Sequence, residues 1–562
     1  MPGGLLQLVG KGAQDQLVSG NPSFTHFRSV YKRHTDFAME HFRLYFKTSV
    51  LTFPTSGTLT LRTKVERYAQ LLNDCYFNID LPNIYSPAFS SSYEFQWVRN
   101  IGYNMIRRVS ILINGQEIVR HTGEWMKLYA NLTFDANKKA ILDRMIGNIP
   151  ELYDPANALG RTGIYPSAVS PSALIDAEPS IHGRTLMIPL HFWFCETIGQ
   201  ALPMVALQQS EVEIVVELNN AYQLFTVLDV RTSSPTSGKR IPPEPSAIEF
   251  SMFHFLSPPL SSQPKENKVP SLRTWNMNPF LECNYIFVSD TELGYLARTD
   301  HSFIISQVDM AQADGQYGPS NDLELTMKNL VTRILWVFQR SDRINQNDPD
   351  NYTNWVNPYV FPISGVDPTG SGPAIDSNVS QRDILLESTL MLDGQERFSP
   401  KQTLFFSGLQ LYRFQTGNPI AGVYEYSFAL KNDPSQPSGS INGSMFNKTL
   451  LRNTLITPPA ASGGGGGIPA GTNVVACILK STAGSKNPIQ VLPAQTRPSI
   501  GPNGEIIPPL YGPEDVISIV TKTDATGTPL NSFQYTYSVR AYTESYNFLR
   551  ITGGIGNVVF SS

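Results

Sequence analysis

Cysteine is scarce and scattered. Cys75, Cys195, Cys283 and Cys477 stand far apart with no Cys-x-x-Cys pair, which argues against both a disulfide framework and a thiolate zinc site. A reducing compartment suits such usage. The eight histidines, at 26, 34, 41, 121, 182, 191, 254 and 301, include no His-x-His pair and no His-Glu-x-x-His, so no metal centre is expected. Gly-x4-Gly-Lys-Ser/Thr and Gly-x-Ser-x-Gly are both missing, which removes a P-loop and a hydrolase elbow. No apolar run approaches the ~18 residues that span a bilayer, and the N-terminus lacks the basic-then-apolar plan of a signal peptide. Charged residues make up only 16% of the chain, and the net charge of −4 gives no case for direct contact with nucleic acid. A surface with few charges is expected where much of it packs against other subunits. These absences leave no catalytic residue, cofactor site or metal site to expect, and an enzyme is not indicated.

Glycine (41) and proline (42) punctuate the whole chain, which favours all-β architecture with long loops over helical bundles. At 562 residues two or more domains are expected. Val109-Ser-Ile-Leu-Ile-Asn-Gly-Gln-Glu-Ile-Val-Arg120 sets Asn114-Gly115 between β-branched runs, the signature of a two-residue hairpin turn. Thr389-Leu-Met-Leu-Asp-Gly-Gln-Glu-Arg397 repeats the plan around Asp393-Gly394, 279 residues further on in a chain of 562. A hairpin repeated after half the chain suggests two copies of one β domain.

Period-two alternation marks further strands. It runs through Phe42–Phe46, Leu59–Val65, Leu71–Leu81, Asn104–Ile113, Val212–Leu218 and Asn284–Ser289 in the first half. The second half shows it at His301–Met310, Leu323–Met327, Arg333–Phe338, Tyr424–Leu430, Tyr535–Val539, Tyr546–Ile551 and Asn557–Phe560. Leu186–Phe194 is apolar on both faces and reads as a strand buried on two sides, with Pro189 marking an edge or bulge. Trp125, Leu128, Tyr129 and Leu132 share one helical face. Residues 150–181, 231–270, 340–382 and 455–530, the last with the Gly463–Gly467 run, read as loop regions. Asp348-Pro-Asp350 with Asn351 reads as a solvated turn rather than a calcium loop, and His191 with Cys195 as core rather than a nucleophile pair. The sequons at Asn131, Asn351, Asn378, Asn442 and Asn447 read as chance. Residues 1–26 read as an arm. Phe24, Phe27 and Tyr31 then sit at helical spacing with Arg28, Lys32 and Arg33 between them, which predicts a short basic helix. Lys11 and these three cations are the candidates for contact with an acidic partner.

Several blocks resemble one family. They are Gly3-Gly-Leu-Leu-Gln-Leu-Val9, Gly12-Ala-Gln-Asp15, Gly20-Asn-Pro22, Val30-Tyr-Lys-Arg-His-Thr35, Ala201-Leu-Pro-Met-Val-Ala-Leu207, Tyr424-Glu-Tyr-Ser-Phe-Ala-Leu-Lys431, Gln436-Pro-Ser-Gly439, Tyr546-Asn-Phe-Leu-Arg550 and Gly553-Gly-Ile-Gly556. In this order they resemble the major capsid proteins of large nucleocytoplasmic DNA viruses. The resemblance implies two tandem eight-stranded jelly rolls, a double jelly roll with long loops and a few short helices. It implies a homotrimeric capsomer of pseudo-hexagonal outline in an icosahedral virion shell, assembled in the host cytoplasm. Its implied partners are neighbouring capsomers, minor capsid and penton proteins, and an internal viral membrane reached through the arm. The boundaries expected are an arm at 1–26, a first roll at 27–292, a connector at 293–300 and a second roll at 301–562. Counted from Phe27 and His301, the two turns fall 87 and 92 residues in. A double β-sandwich that binds or hydrolyses carbohydrate is the alternative, since low charge, 11% aromatics and long loops suit it too.

Overall fold

In the computed structural model, the strand pairing of the first half is repeated in the second. The structure describes the chain apart from residues 1–2, 49, 87–92, 169–177, 232–237, 239, 246, 248–249, 259–273, 317–319, 356–357, 359–381, 432–435 and 561–562. Within 457–535 it describes only the backbone of short strands. Eight strands build the first half: β1 (Phe37–Tyr45), β2 (Leu59–Lys64), β3 (Leu71–Leu81), β4 (Ile106–Ile113), β5 (Gln116–Thr122), β6 (Arg184–Pro189), β7 (Val212–Leu218) and β8 (Phe280–Val288). Their equivalents are β9 (His301–Gln316), β10 (Ser320–Glu324), β11 (Leu330–Arg340), β12 (Leu385–Leu392), β13 (Gln395–Glu396), β14 (Val423–Ser427), β15 (Thr449–Leu455) and β16 (Tyr537–Thr552). The first half pairs them as β1-β8-β3-β6 and β2-β7-β4-β5, and the second as β9-β16-β11-β14 and β10-β15-β12-β13. Adding eight to every label of the first half gives the second. Each half is a jelly roll: the first strand lies beside the last, so neither sheet can be drawn as a run of hairpins.

Alternation explains which faces meet. Leu44, Leu61, Phe77, Ile79, Ile111, Ile214, Val216 and Leu281 are buried from both sheets of the first half. Fully burying such side chains stabilises by about 1.5–3 kcal/mol each. That core continues into the second half through Ile305, Leu335, Val337, Tyr352, Val423, Tyr542 and Leu549. A second core, around Trp336, Phe338, Leu390, Phe406, Tyr424 and Leu451, belongs to the second half alone.

The two hairpins are built alike. Ile113 pairs with Gln116, and Leu392 with Gln395, which leaves two-residue loops. Asn114 and Gly115 take φ of 53° and 79°, and Asp393 and Gly394 take 47° and 82°, the mirror-image turn that suits twisted strands. The first residue of each turn also clamps a neighbour. The Glu211 N–H donates to Asn114 Oδ1 (3.0 Å), and the Lys448 N–H donates to Asp393 Oδ1 (2.8 Å). Glu211 and Lys448 immediately precede β7 and β15, so one side chain sets the register of a third strand. Gly115→Val and Gly394→Val have open space around the new Cβ, so only backbone strain opposes them. Each is expected to cost about 1–2 kcal/mol in chemical denaturation; a cost near zero would mean that the turn is not held in this conformation.

Several expectations are corrected. No helix forms over residues 24–33: this stretch is turn and coil, and the short helices lie upstream at Gly3–Val9 and Asp15–Ser19. A few turns of helix do not persist without a surface for their apolar face, and none of the described residues covers it. The strand expected over Leu186–Phe194 stops at Pro189 and leaves Met187 42% exposed, so it is not buried on two sides; it does lie at the end of its sheet, the edge position that Pro189 marked. Trp193–Glu196 then forms a short helix. Residues 341–354 are not a polar loop but are mostly buried. Glu425, on the expected outer face of β14, is also buried. The 455–530 region holds more strand than expected, a four-stranded sheet of Val474–Leu479, Gln490–Val491, Val516–Thr523 and Pro529–Ser532. The Gly463–Gly467 run, Tyr535 and the sequon at Asn378 lie outside the described residues. Tyr93–Trp97, Phe225–Asp229 and Arg240–Ile241, unmarked by sequence pattern, pair into a small sheet attached to the first half. In the stretch expected as the connector, Asp290–Arg298 is a helix.

Candidate functional site: a buried polar joint and an exposed apolar arm

The two rolls meet around one helix. Gly123–Thr133 follows β5, and its N-cap is Thr122, whose side chain accepts the Trp125 N–H (3.1 Å). Every residue of the helix from Trp125 to Leu132 is buried. Its start, middle and end are each held by the second half of the chain.

At the start, Glu124 accepts two hydrogen bonds from Arg540, Nε at 2.6 Å and Nη2 at 2.7 Å. It also accepts the hydroxyls of Tyr542 (2.5 Å) and Tyr352 (2.8 Å). Burial alone would raise this carboxyl. The Arg540 guanidinium, by charge and by hydrogen bond, outweighs burial and brings it down to about 2. The same pairing raises Arg540 against a burial effect that would lower it. A carboxylate in the first turn also meets the positive end of the helix dipole.

At the middle, Lys127 is 1% exposed and places Nζ 2.5 Å from Asp350 Oδ1. Asp350 further accepts Asn100 Nδ2 (2.6 Å) and Asn104 Nδ2 (3.1 Å), so three donors of the first half converge on one carboxylate. The segment that carries Asp350 is held by its own buried ions: Asp342 bridges Arg340 (2.9 Å) and Arg343 (3.1 Å). Burial raises Asp348 beside it, with Arg343 opposing. Asp348-Pro-Asp350 is therefore not a solvated turn.

At the end, a helix leaves its last carbonyls without partners. Here the second half supplies them. The Thr416 hydroxyl donates to Thr133 O (2.6 Å) and the Gly417 N–H donates to Leu132 O (2.8 Å). A Cβ on Gly417 would fall 2.2 Å from Asn131 O, so only glycine allows the approach.

The joint extends to the opening hairpin. Asn114 Nδ2 donates to Ser210 Oγ (3.0 Å), which donates to Gly554 O (3.2 Å) and accepts the Gly556 N–H (3.1 Å). Gln307 Nε2 reaches Ile118 O (2.7 Å) and Asn347 Nδ2 reaches Tyr222 O (2.6 Å). Asn114 thus touches the joint, while Gly115, Asp393 and Gly394 serve their turns. Glu124, Lys127 and Arg540 did not stand out in the sequence, and Asp350 was read only as part of a solvated turn. The one available signal was a Glu and a Lys on an otherwise mostly apolar helix.

Exposed large apolar side chains are spread over the described residues, and two groups of them bear on assembly. Along the arm, Leu17 (89%), Phe27 (100%) and Tyr31 (80%) are exposed, as are Leu5, Leu6, Leu8, Val18, Phe24 and Val30. Lys11, Arg28, Lys32 and Arg33 are exposed beside them, and among the described residues none of the four forms an ion pair. The second surface is Leu386, Leu404, Leu409 and Tyr412 (92% exposed). His191 serves the core: its Nε2 lies 2.8 Å from Tyr103 OH and its Nδ1 3.3 Å from Glu196. Asn131 and Asn351, in two of the sequons, are buried. Among the described residues no cluster of His, Cys, Asp or Glu is arranged to hold a metal, and no helix is long and apolar enough to cross a membrane.

Residues 25–253 match the sequence profile described as major capsid protein N-terminus, and residues 292–474 match that of the large eukaryotic DNA virus major capsid protein. The chain is 27% identical over 521 residues to the major capsid protein of Phaeocystis pouchetii virus, covering 81% of this chain and 93% of that protein. It is 26% identical over 506 residues to probable capsid protein 4 of Acanthamoeba polyphaga mimivirus, covering 79% and 91%. Among solved structures, the PBCV-1 virus capsid superposes with a TM-score of 0.59 at 19% identity, over 96% of this chain and 100% of that one. The Faustovirus major capsid protein superposes with 0.56 at 13% identity, over 98% and 96%. These two solved structures share the double jelly roll. The carbohydrate-binding alternative gains nothing from these likenesses.

Proposed function

The chain belongs to the major capsid proteins of large DNA viruses, and from that premise we propose that it works by assembly, as a homotrimer that tiles the shell. The observation that carries this reading is the buried joint. Ion pairs and caps lock two rolls into one block, and three such blocks closed about a threefold axis present six similar sandwiches, a pseudo-hexagonal outline. Closed threefold symmetry calls for heterologous contacts between unlike faces. The exposed side chains of Leu386, Leu404, Leu409 and Tyr412 suit one of those faces, because large exposed apolar surface marks a contact. We divide the chain into an arm at 1–26, a first roll at 27–292, a connector at 293–300 and a second roll at 301–562.

The arm, together with the basic stretch that follows it, fits an acidic partner on the inner face of the shell, a minor capsid protein or lipid headgroups of an internal membrane, with Lys11, Arg28, Lys32 and Arg33 supplying charge and Phe24, Phe27 and Tyr31 apolar contact. Penton proteins and neighbouring capsomers complete the set of partners, and assembly takes place in the host cytoplasm.

Light scattering on the purified chain tests the reading. A trimer of about 187 kDa, three times 62.4 kDa, that appears as hexagonal plates in negative stain is expected. A stable monomer at micromolar concentration would overturn it. Deleting residues 1–36 is expected to leave the trimer intact and to abolish its binding to anionic vesicles or to the inner capsid proteins. Unchanged binding to both would remove the arm from the inner face.

A further inference from the structure

The structure brings three of the four scattered cysteines together. Cys75 on β3 and Cys283 on β8 are direct cross-strand partners, and their sulfurs lie 3.1 Å apart in the buried core. Directly opposed residues of antiparallel strands have Cα atoms about 4.5–5.5 Å apart, inside the ~4.4–6.8 Å that a disulfide spans. The ladder is irregular immediately beyond this pair, between Cys283 and Tyr285, so the strands have room to adjust there. Cys195 sits on the short Trp193–Glu196 helix, which packs against β3, and its thiol lies close enough to act on that of Cys75. It is half-buried, while Cys75 and Cys283 are buried. Nothing in the assembly function uses these thiols.

We propose that Cys195, Cys75 and Cys283 form a thiol relay that ends in a Cys75–Cys283 disulfide across β3 and β8. The oxidant is a low-molecular-weight disulfide such as oxidised glutathione. The Cys195 thiolate attacks it, forming a mixed disulfide and releasing one reduced glutathione. The Cys75 thiolate then attacks the Cys195 sulfur, releasing the second glutathione. Finally the Cys283 thiolate attacks the Cys75 sulfur and returns Cys195 as a thiol. Two protein thiols lose two electrons and two protons, and one glutathione disulfide becomes two thiols. Thiol exchange runs through the thiolate and needs access, which is why the half-buried cysteine is the entry. Burial also raises the Cys75 thiol well above its usual range, with Cys195 and Cys283 adding to the effect. Its step is therefore slow, and the chain folds with all three thiols reduced. The end product is the pair sealed from reductant. It fastens β8, the last strand of the first roll, to its neighbour.

The purified full-length capsomer is incubated with excess oxidised glutathione. Samples are quenched by alkylation in denaturant and mapped by peptide mass spectrometry. Glutathione on Cys195 is expected early and a Cys75–Cys283 cross-link late. Cys195→Ser is expected to slow the cross-link at least tenfold, and Cys283→Ser to stop the relay at Cys75–Cys195. Cys75 and Cys283 still open to alkylation after prolonged oxidation would overturn the proposal. So would an unchanged rate in Cys195→Ser. Should Cys283→Ser fail to fold, the time course of the unaltered protein and of Cys195→Ser decides alone.

Discussion

Replacing Glu124 with alanine is expected to destabilise the protein by about 3–5 kcal/mol, the range for a buried ion pair that loses one partner. The substitution removes little apolar contact. Its cost comes from what is left behind: Arg540 stays buried, keeping only Gln339 Oε1 (2.7 Å) among the partners its guanidinium had here, and the hydroxyls of Tyr352 and Tyr542 lose their acceptor. Arg540→Ala is expected to cost a similar amount. The pair Glu124→Leu with Arg540→Met is expected to cost much less than the two single changes summed, because no charge then stays buried. Chemical denaturation followed by tryptophan fluorescence, at fixed protein concentration, measures all three. A loss below about 1 kcal/mol for Glu124→Ala would mean that the joint does not hold the rolls together.

Acid adds a second reading of the same group. The Glu124 carboxyl lies at about 2 when folded, against an ordinary value of 4.5. Its contribution is complete above pH 4.5 and is lost as pH falls through about 2, an amount on the order of 3 kcal/mol. Glu124→Gln is expected to flatten the stability profile in that window and leave its slope near neutrality unchanged.

Gly417→Val is the second large effect. Its Cβ would lie 2.2 Å from Asn131 O and 2.6 Å from Leu132 O, both backbone atoms that cannot turn away. The loop carrying Thr416 must then withdraw, and the carbonyls of Leu132 and Thr133 lose their donors. Overpacking and lost buried hydrogen bonds together are expected to cost at least about 3 kcal/mol. Thr416→Val removes one hydrogen bond without a clash and is expected to cost about 1 kcal/mol. Amide hydrogen exchange separates the mechanism from general instability. Protection should fall first across the Gly123–Thr133 helix, with β3 and β8 spared. Uniform loss across the first roll would show that the cap does not act on the helix.

What was legible in the sequence and what was not divides along physical lines. Strands with one wet and one dry face, such as β2, announce themselves, and β3 was read to the residue although neither of its faces is exposed. The two turns were readable because few residues take positive φ cheaply. Strands dry on both faces, such as Leu330–Arg340, gave only their central part. The side chain of Asn114 was read for its backbone tolerance, while its second role, accepting the Glu211 N–H, depends on a strand about a hundred residues away. The joint was invisible for the same reason. Asp350 looks like part of a solvated turn, and Lys127 like an ordinary helix cation, until each is seen to be the other's buried partner. The basic helix expected over residues 24–33 failed in the opposite direction: spacing alone predicted a structure that none of the described residues supports.

The pairing of first strand with last has a consequence for the order of events on the ribosome. β1 is sandwiched into its sheet only by β8, so the first roll can close once residue 288 has emerged. The second roll has to wait for β16 (Tyr537–Thr552), which pairs with both β9 and β11 and follows every other strand of that roll. Until then β9 and β11 are open edges with no neighbour between them, and Arg540 and Tyr542 have not yet reached Glu124. The N-terminal half can therefore close before the C-terminal half and the lock between them are complete. A chain cut before β16 is expected to carry a closed first roll tethered to an unclosed second one.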